Sequence, residues 1–293
     1  MAKAIVGIIG GSGVYDLPGL EDLHEELVAT PWGEPSDALR FGRIGTTEAV
    51  FLPRHGRGHR LSPSGINYRA NIDALKRVGV TDILSVSACG SFKQELYPGL
   101  FVLIDQFVDR TFARESSFFG NGCVAHVSMA HPIAPLLQAR IAAAADAEDI
   151  AYVKGGTYVA MEGPQFSSLA ESLTYKNHGY DVIGMTAMPE AKLAREAEIS
   201  YATIAMVTDY DCWHPHHDNV DIASVLAVVA ANAGKAARLL ARVLKDFPAE
   251  HEPCPIGSDR ALDTALITAP AARDPALLKK LDAVLKRVTH DRS

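Results

Sequence analysis

Residues 4–13 read AIVGIIGGSG, a continuous apolar run that ends in a cluster of glycines. A run without polar alternation is typical of a strand buried on both faces of a sheet. Similar runs recur along the chain, and amphipathic or alanine-rich helical patterns lie between them. This alternation predicts an α/β fold with a layered sheet. The predicted strands are residues 4–10, 49–54, 82–90, 100–109, 181–186 and 201–211, and the predicted helices are residues 67–79, 133–147, 188–199 and 222–247.

Composition and net charge exclude several classes of protein. The chain has 293 residues, 48% of them hydrophobic and 22% charged, with a formal net charge of −7. An acidic chain lacks the broad basic face of a nucleic-acid binder. Its four cysteines are scattered without a C-x-x-C pair, which favours reduced thiols over a zinc or redox site. We see no signal peptide and no run of ~20 apolar residues, so we expect a cytoplasmic protein with no membrane partner.

The C-terminal part of the chain differs in character from the rest. We assign residues 1–247 to one domain. Residues 248–293 form a proline-rich arm followed by a predicted amphipathic helix, in which Leu277, Leu281 and Val288 share one face with other leucines and valines. We expect this arm to be part of the same domain or to dock on a neighbouring subunit.

Four polar clusters follow predicted strands, at residues 10–13 (GGSG), 54–56 (RHG), 87–91 (SACGS) and 208–211 (TDYD). Ligands of α/β proteins bind beyond the carboxyl ends of strands. GGSG is not a complete dinucleotide fingerprint because Asp16 replaces the third glycine, and Val14 breaks the serine-hydrolase pattern. A glycine turn that exposes amides and the Ser12 hydroxyl suits a phosphate oxygen. A simple turn with no ligand would have the same sequence pattern.

The segment RHGRGHR at residues 54–60 gathers five basic or potentially basic side chains on an acidic chain. The planar guanidinium of Arg54 matches two phosphate oxygens, and His55 can add a hydrogen bond. Arg57, His59 and Arg60 are also compatible with a solvated loop. A small anion is the expected ligand.

Asp209 and Asp211 lie two positions apart at a strand end, so their side chains point the same way. Two carboxyl groups in one pocket suggest a ligand with hydrogen-bond donors, and one of them can stay protonated beside the other. A metal pair or a helix cap is the alternative, and His214, His216 and His217 follow nearby. Their spacing is no defined zinc pattern, so we expect no metal. With Phe166 as an aromatic face for a flat base, the pattern fits a nucleoside cleaved by phosphate.

The motifs GGSG, RHG, NYRAN, SACGS, EGPQFSS, GMTAMPEA and VTDYDCW occur in this order between residue 5 and about residue 245. Together they resemble the 5′-methylthioadenosine phosphorylases, in the trimeric branch of the purine nucleoside phosphorylases. The resemblance implies a three-layer fold with a mixed central β-sheet flanked by helices, and a homotrimer. It implies phosphorolysis of 5′-methylthioadenosine to adenine and 5-methylthioribose 1-phosphate in purine and methionine salvage. Inorganic phosphate would be a co-substrate, with no metal or organic cofactor.

The same resemblance assigns roles to individual residues. It places Met185 against the ribose and Phe166 against the base, with Asp209 and Asp211 facing N7 and the 6-amino group and Asp209 as the catalytic acid. His126 would reach into the neighbouring subunit's site, and Ile222 would line the 5′-substituent region. The implied phosphate ligands are Ser12, Arg54, His55, Ser87, Ala88 and Thr186.

Two positions bear on the choice of base. Relatives that use 6-oxopurines carry Asn where Asp209 stands and Phe-Glu where Phe166 and Ser167 stand. A carboxylate repels a 6-oxo group, so the chain resembles an adenine-specific enzyme. The alternatives left open are a 6-oxopurine phosphorylase, a nucleosidase that uses water, a sensor that binds without cleavage and, more weakly, a dehydrogenase.

Overall fold

The computed structural model describes residues 2–11, 17–215 and 222–290. Within these ranges, eleven strands form one mixed sheet and seven α-helices accompany it, which confirms the expected mixed sheet flanked by helices. The strands are β1 (Ile5–Gly10), β2 (Glu21–Glu26), β3 (Leu39–Ile44), β4 (Thr47–Pro53), β5 (Asp82–Ser91), β6 (Phe101–Leu103), β7 (Gln106–Asp109), β8 (Tyr152–Lys154), β9 (Thr157–Ala160), β10 (Val182–Gly184) and β11 (Ser200–Asp209). The helices are α1 (Tyr68–Arg77), α2 (Pro135–Ala147), α3 (Leu169–Asn177), α4 (Ala187–Glu196), α5 (Ile222–Lys245), α6 (Pro275–Lys280) and α7 (Lys286–His290).

The sheet divides at β5. Strand β5 pairs in parallel with β1 through residues 82–85 on one side and with β11 through residues 82–90 on the other. At its carboxyl end it pairs with β10 instead, antiparallel, through Gly90 and Ser91. One branch therefore continues through β11 to β6 and β8, and the other continues through β10 to β9 and β7. The branches separate where β1, β4, β5 and β11 end, which opens space at that edge of the sheet.

The apolar runs form the core as their pattern predicts. In β1, Val6, Ile8 and Ile9 are fully buried, and every residue of β11 before Asp209 is buried. Each fully buried Val, Ile or Met side chain stabilises the fold by about 1.5–3 kcal/mol. The pattern did not reveal β2, whose sequence EDLHEE is exposed throughout, because its charged side chains belong to a sheet edge.

Two predicted elements differ from the observed ones. The run at residues 100–109 is two strands, because β6 pairs with β11 and β8 whereas β7 pairs with β9 in the other branch. The single C-terminal helix is divided into α6 and α7. Between them the Asp282 carboxylate accepts a hydrogen bond from the Ala283 amide and pairs with Arg77, a local contact that competes with helix continuation.

The C-terminal segment packs on the rest of the same chain. Leu281, Val284 and Leu285 are buried in the main core. Arg287 pairs with the buried Glu198 at 2.6 Å. Docking of this segment on a neighbouring subunit stays a prediction.

Helix α5 is only partly covered by the rest of the described chain. Its buried residues, such as Leu239 and Leu244, fall in the C-terminal half, whereas Ile222 and Leu226 are exposed. Among the described residues, α5 is also the one helix long and apolar enough to cross a membrane, which corrects the expectation that no such stretch exists. Length and composition alone are weak evidence for a span, because core helices of soluble proteins meet the same criterion. The buried C-terminal half of α5 is anchored in the protein core.

Candidate active site

A cavity of about 550 Å³ opens where the two branches of the sheet separate. It is large enough for a nucleoside and an anion together. Residues from the ends of β1, β4, β5, β10 and β11 line it, so the four strand-end clusters meet at one site. The predicted site residues that line it are Arg54, His55, Ser87, Ala88, Phe166, Met185, Thr186, Asp209, Asp211 and Ile222. Ser12 lies outside the described residues, whereas its neighbour Gly11 lines the cavity.

Arg54 lies at one end of the cavity and is held by a buried carboxylate. Its Nε and Nη2 atoms lie 2.8 and 3.1 Å from the two carboxylate oxygens of Glu190. Nη2 also donates to Ser85, and Nη1 donates to the Val86 carbonyl at 2.9 Å. Burial alone would lower the pKa of Arg54, but the adjacent carboxylate raises it, so the guanidinium remains charged. The Nε–Nη2 fork expected to bind phosphate is thus occupied by Glu190, which leaves Nη1 as the nitrogen of Arg54 that does not contact this carboxylate.

His55 is fixed in one orientation next to Arg54. Its Nδ1 lies 2.9 Å from the Leu61 carbonyl, which can only accept, so Nδ1 carries the proton. Its ring stacks on that of His59, with centroids 4.1 Å apart. Burial, together with the charge of Arg54, lowers the pKa of His55 to about 4. The imidazole is therefore neutral near pH 7.

The other basic residues of the segment divide between the cavity and the surface. His59 lines the cavity, whereas Arg57 pairs with Glu25 at 2.8 Å and Arg60 donates to the Ser36 carbonyl. Thr186 adds a buried hydroxyl at the start of α4 that makes no capping bond to its helix, and Ser87 adds another from β5. Hydroxyls at this end, with one edge of a charged guanidinium, suit a phosphate ion.

The carboxyl pair lies farther along β5, where Asp209 is opposite Gly90, whereas Arg54 contacts Val86. Asp209 accepts hydrogen bonds from the Thr208 hydroxyl at 2.7 Å and from the Asp211 amide at 2.8 Å. Burial raises the pKa of Asp209, and these two hydrogen bonds oppose the shift. Burial also raises the pKa of Asp211, and the charge of Asp209 adds to this shift. The buried Oδ2 atom of Asp211 has no hydrogen-bond partner among the described residues, so it can accept from a bound ligand.

Apolar side chains line the space between the two ends. Phe166, 44% exposed, presents a ring to the cavity, and Met185 lines the same space. Helix α5 closes one side with Ile222, Val225, Leu226 and Val229. A flat base and an apolar substituent can therefore be buried together.

Two predicted residues do not line this cavity. The Ser167 hydroxyl lies 3.7 Å from the Met161 sulfur, and its carbonyl accepts from the Cys212 thiol. His126 is exposed, and its amide donates to the Ala265 carbonyl at 2.9 Å. Its predicted place in a neighbouring subunit's site stays a prediction.

Sequence reasoning missed Glu190, the buried partner of Arg54. The signal was present in GMTAMPEA, where a carboxylate sits in an otherwise apolar helix start and so requires a partner. Among the described residues no group of three His, Cys, Asp or Glu is placed to hold a metal ion. His216 and His217, which follow the carboxyl pair in the sequence, lie outside the described residues.

The mixed sheet carries one cavity lined by a buried cation and a carboxyl pair, and the family model described as the phosphorylase superfamily matches residues 5–245. The S-methyl-5′-thioadenosine phosphorylase of Bradyrhizobium diazoefficiens is 72% identical over 98% of this chain and 99% of its own length. The chain belongs to the phosphorylase superfamily and, within it, to the S-methyl-5′-thioadenosine phosphorylase family.

Solved structures agree with this assignment. The crystal structure of a methylthioadenosine phosphorylase from an antarctic soil metagenomic library superposes with a TM-score of 0.91, at 44% identity over 97% of this chain and all of that one. A variant of the adenosine/methylthioadenosine phosphorylase of Schistosoma mansoni, in complex with methylthioadenosine, gives a TM-score of 0.77 at 39% identity, over 83% of this chain and 91% of that one.

Proposed function

We propose that this chain cleaves 5′-methylthioadenosine with inorganic phosphate, giving adenine and 5-methylthioribose 1-phosphate. The observation that carries the proposal is that Arg54 and the Asp209–Asp211 pair open into one cavity. One end of this cavity suits an anion and the other suits a hydrogen-bonding base. The names of the relatives and the methylthioadenosine held by one of them support the same substrate.

The chemistry follows from the two ends. Phosphate, held by the Arg54 Nη1 edge and by the Ser87 and Thr186 hydroxyls, lies beneath the anomeric carbon as nucleophile and counter-charge. The glycosidic bond loosens first, and the ribosyl centre acquires oxocarbenium character. Asp209, whose pKa burial raises, donates to N7 so that adenine departs as a neutral base. General-acid assistance of this kind accelerates a reaction by about 10²–10⁴-fold.

The carboxyl pair also selects the base. The unpartnered Asp211 oxygen can accept from a 6-amino group, and a 6-oxo group would leave it without a donor. This favours an adenine nucleoside over the 6-oxopurine alternative. The apolar wall formed by α5 suits a 5′-methylthio group better than a 5′-hydroxyl group, because the wall offers a hydroxyl no hydrogen-bond partner.

We extend the proposal to the assembly and its setting. His126 and the 63% exposed Ile267 lie on neighbouring segments, joined by the bridge between Ala125 and Leu266. An exposed apolar side chain beside a predicted site histidine supports a homotrimer in which each chain completes a neighbour's site. We also propose a cytoplasmic enzyme of purine and methionine salvage that needs no metal or organic cofactor.

The test is a nucleoside panel assayed with and without phosphate, with the free base followed by chromatography. We expect adenine from methylthioadenosine only when phosphate is present, and little base from inosine or guanosine. Base release that is independent of phosphate would identify a nucleosidase. Binding without any product would identify a sensor module.

A further inference from the structure

Behind the cavity wall lies Arg114, a buried arginine that belongs to none of the predicted motifs. Its side chain is 2% exposed, and it does not line the cavity. It follows β7 in the chain, and its guanidinium reaches the loops after β9 and β10. Burying a guanidinium is costly unless its donors are satisfied, so such a position requires a dense set of acceptors.

Arg114 binds the backbone at both loops. Nη1 donates to the carbonyls of Met185, at 2.5 Å, and Met188, at 2.7 Å. Nη2 donates to the Glu162 carbonyl at 2.6 Å and more weakly to that of Met161. Both loops continue parallel paired strands that end side by side at Ala160 and Gly184.

These carbonyls need an external donor because the backbone is irregular here. Met188 has φ −117° and ψ 135°, which are not helical values, although it falls within the first turn of α4. A planar guanidinium with five donors can satisfy several such carbonyls at once, whereas an ammonium group is a single compact donor centre.

The Glu162 carboxylate contacts both Arg114 and the backbone at the start of the loop that carries Arg114. Glu162 lies 3.5 Å from the Arg114 Nε and accepts from the Phe112 amide at 2.7 Å. The Ser64 hydroxyl also donates to Glu162. Burial alone would raise the pKa of Glu162, but the hydrogen bonds from Ser64 and the Phe112 amide lower it, so the carboxylate stays charged.

We propose that Arg114 is a positioning residue for the phosphorolysis reaction, which fixes the wall formed by Met161, Met185 and Thr186 through backbone carbonyls. Met185 and Thr186 lie directly beside the carbonyls that Arg114 holds, and both line the cavity. Arg114 does not contact the Asp209–Asp211 end. Its loss should therefore affect the ribose and phosphate side of the site more than the base side. The inference rests on the proposed function.

The test compares Arg114→Met and Arg114→Lys with the wild type and with Arg287→Met. Arg287 pairs with the buried Glu198 away from the cavity, so its loss costs stability without touching the site. We expect Arg114→Met to lower kcat for methylthioadenosine by about 10²-fold and to raise the phosphate KM, because misplacing reacting groups by about 1 Å has an effect of this size. The Kd for adenine should change much less than kcat. Arg114→Lys should recover only part of the loss, and Arg287→Met should keep kcat within about threefold of wild type.

Each outcome decides the inference. Wild-type kcat and phosphate KM in Arg114→Met would overturn it, as would a loss no larger than that of Arg287→Met. Full activity in Arg114→Lys would also overturn it, because a single ammonium centre does not reproduce the hydrogen bonds of the guanidinium to both loops. If Arg114→Met does not fold, the Lys variant still separates these results, since it keeps the charge and the side-chain stem. Wild-type protein that does not cleave methylthioadenosine with phosphate would refute the proposed function instead.

Discussion

At the scale of single residues, the site depends on buried charges whose partners are fixed by the fold. Arg54 and Glu190 are each about 2% exposed in their side chains and form a two-point contact. Glu190 also accepts from Ser85 and Tyr201, so its lone pairs are used. The guanidinium is thus held in one orientation, and the proposed phosphate site can use only the edge that Glu190 does not occupy.

We expect Glu190→Gln to lower the free energy of unfolding by about 3–5 kcal/mol, because it leaves a buried guanidinium without its counter-charge. The measurement is urea denaturation at pH 7. The control is the double variant Arg54→Met with Glu190→Met, which removes both charges and should be more stable than Glu190→Gln. A double variant less stable than the single one would show that the pair itself is strongly stabilising.

Asp209→Asn should reduce turnover of methylthioadenosine about 10²–10⁴-fold, since the amide cannot protonate N7. The same change should raise the relative activity on 6-oxo nucleosides, to which an amide can donate. Steady-state kinetics on methylthioadenosine and inosine measure both effects. Unchanged turnover of methylthioadenosine would remove Asp209 from the acid role.

At the scale of elements, the end of β5 positions the carboxyl pair. A Cβ atom at Gly90 would lie 2.8 Å from the Asp209 Oδ1 and 3.3 Å from the Asp211 amide nitrogen. The β5–β11 pairing also shifts register between Val207 and Asp209, which turns the carboxylate toward this glycine. Only glycine leaves room for Asp209 in its observed place.

Gly90→Ala should therefore lower kcat/KM for methylthioadenosine by more than tenfold while the protein remains folded. The matched control is Gly234→Ala in α5, where nothing beyond the adjacent residues and the helix's own backbone lies within 4 Å of the added Cβ. That variant should gain up to about 1 kcal/mol of stability from helix propensity. Equal kinetics for the two variants would contradict the role of Gly90.

Helix α4 holds the loop after β7 through a buried acid. Glu196 accepts from the Ser117 hydroxyl and the Phe118 amide, both at 2.7 Å. Burial raises its pKa from 4.5 to about 7, against these two hydrogen bonds. The folded chain therefore binds this proton more tightly than the unfolded chain.

It follows that Glu196 makes the free energy of unfolding fall as the pH rises from about 4.5 to about 7, by up to about 3 kcal/mol. Glu196→Gln should flatten this part of the stability curve. Urea titrations at several pH values between 4 and 8 measure the slope for both proteins. Parallel curves would show that Glu196 has no such shift.

The sequence was informative where a local pattern determines the structure. Apolar runs predict the buried strands, and amphipathic or alanine-rich patterns predict α1, α2 and α4. Polar residues after the strands predict the four strand-end clusters, which the structure brings to one cavity. Partners distant in sequence were not predictable. Arg54 and Glu190 are 136 positions apart in the sequence. Arg114 is more than 70 positions from Met185 and Met188, whose carbonyls it contacts. A single sequence gives no distance between such residues.

At the scale of the whole molecule, the exposed His126 and the apolar mouth of the cavity bear on assembly. Large apolar side chains are exposed at Phe166, Ile222 and Leu226, all of which line the cavity. An enzyme that buries a nucleoside is expected to cover such a mouth, and a neighbouring copy can do so. The proposed trimer accounts for both features.

Subunit complementation tests this arrangement. Asp209→Asn and His126→Ala chains, each of low activity alone, are unfolded and refolded as a mixture, and their mass is checked by light scattering. If His126 serves a neighbour's site, some mixed trimers contain a site with native Asp209 from one chain and native His126 from the other. The mixture should then be more active than the summed activities of the two variants assayed alone. Activity that only equals that sum would contradict a shared site.

In the proposed reaction, one cavity brings phosphate and an adenine nucleoside together, so that the bond to the base is exchanged directly for a bond to phosphate. Phosphorus NMR of the reaction with methylthioadenosine tests it most directly, with adenine measured on the same samples. We expect inorganic phosphate to decline and one pentose 1-phosphate to appear for each adenine released. Adenine release with no loss of inorganic phosphate would contradict the account.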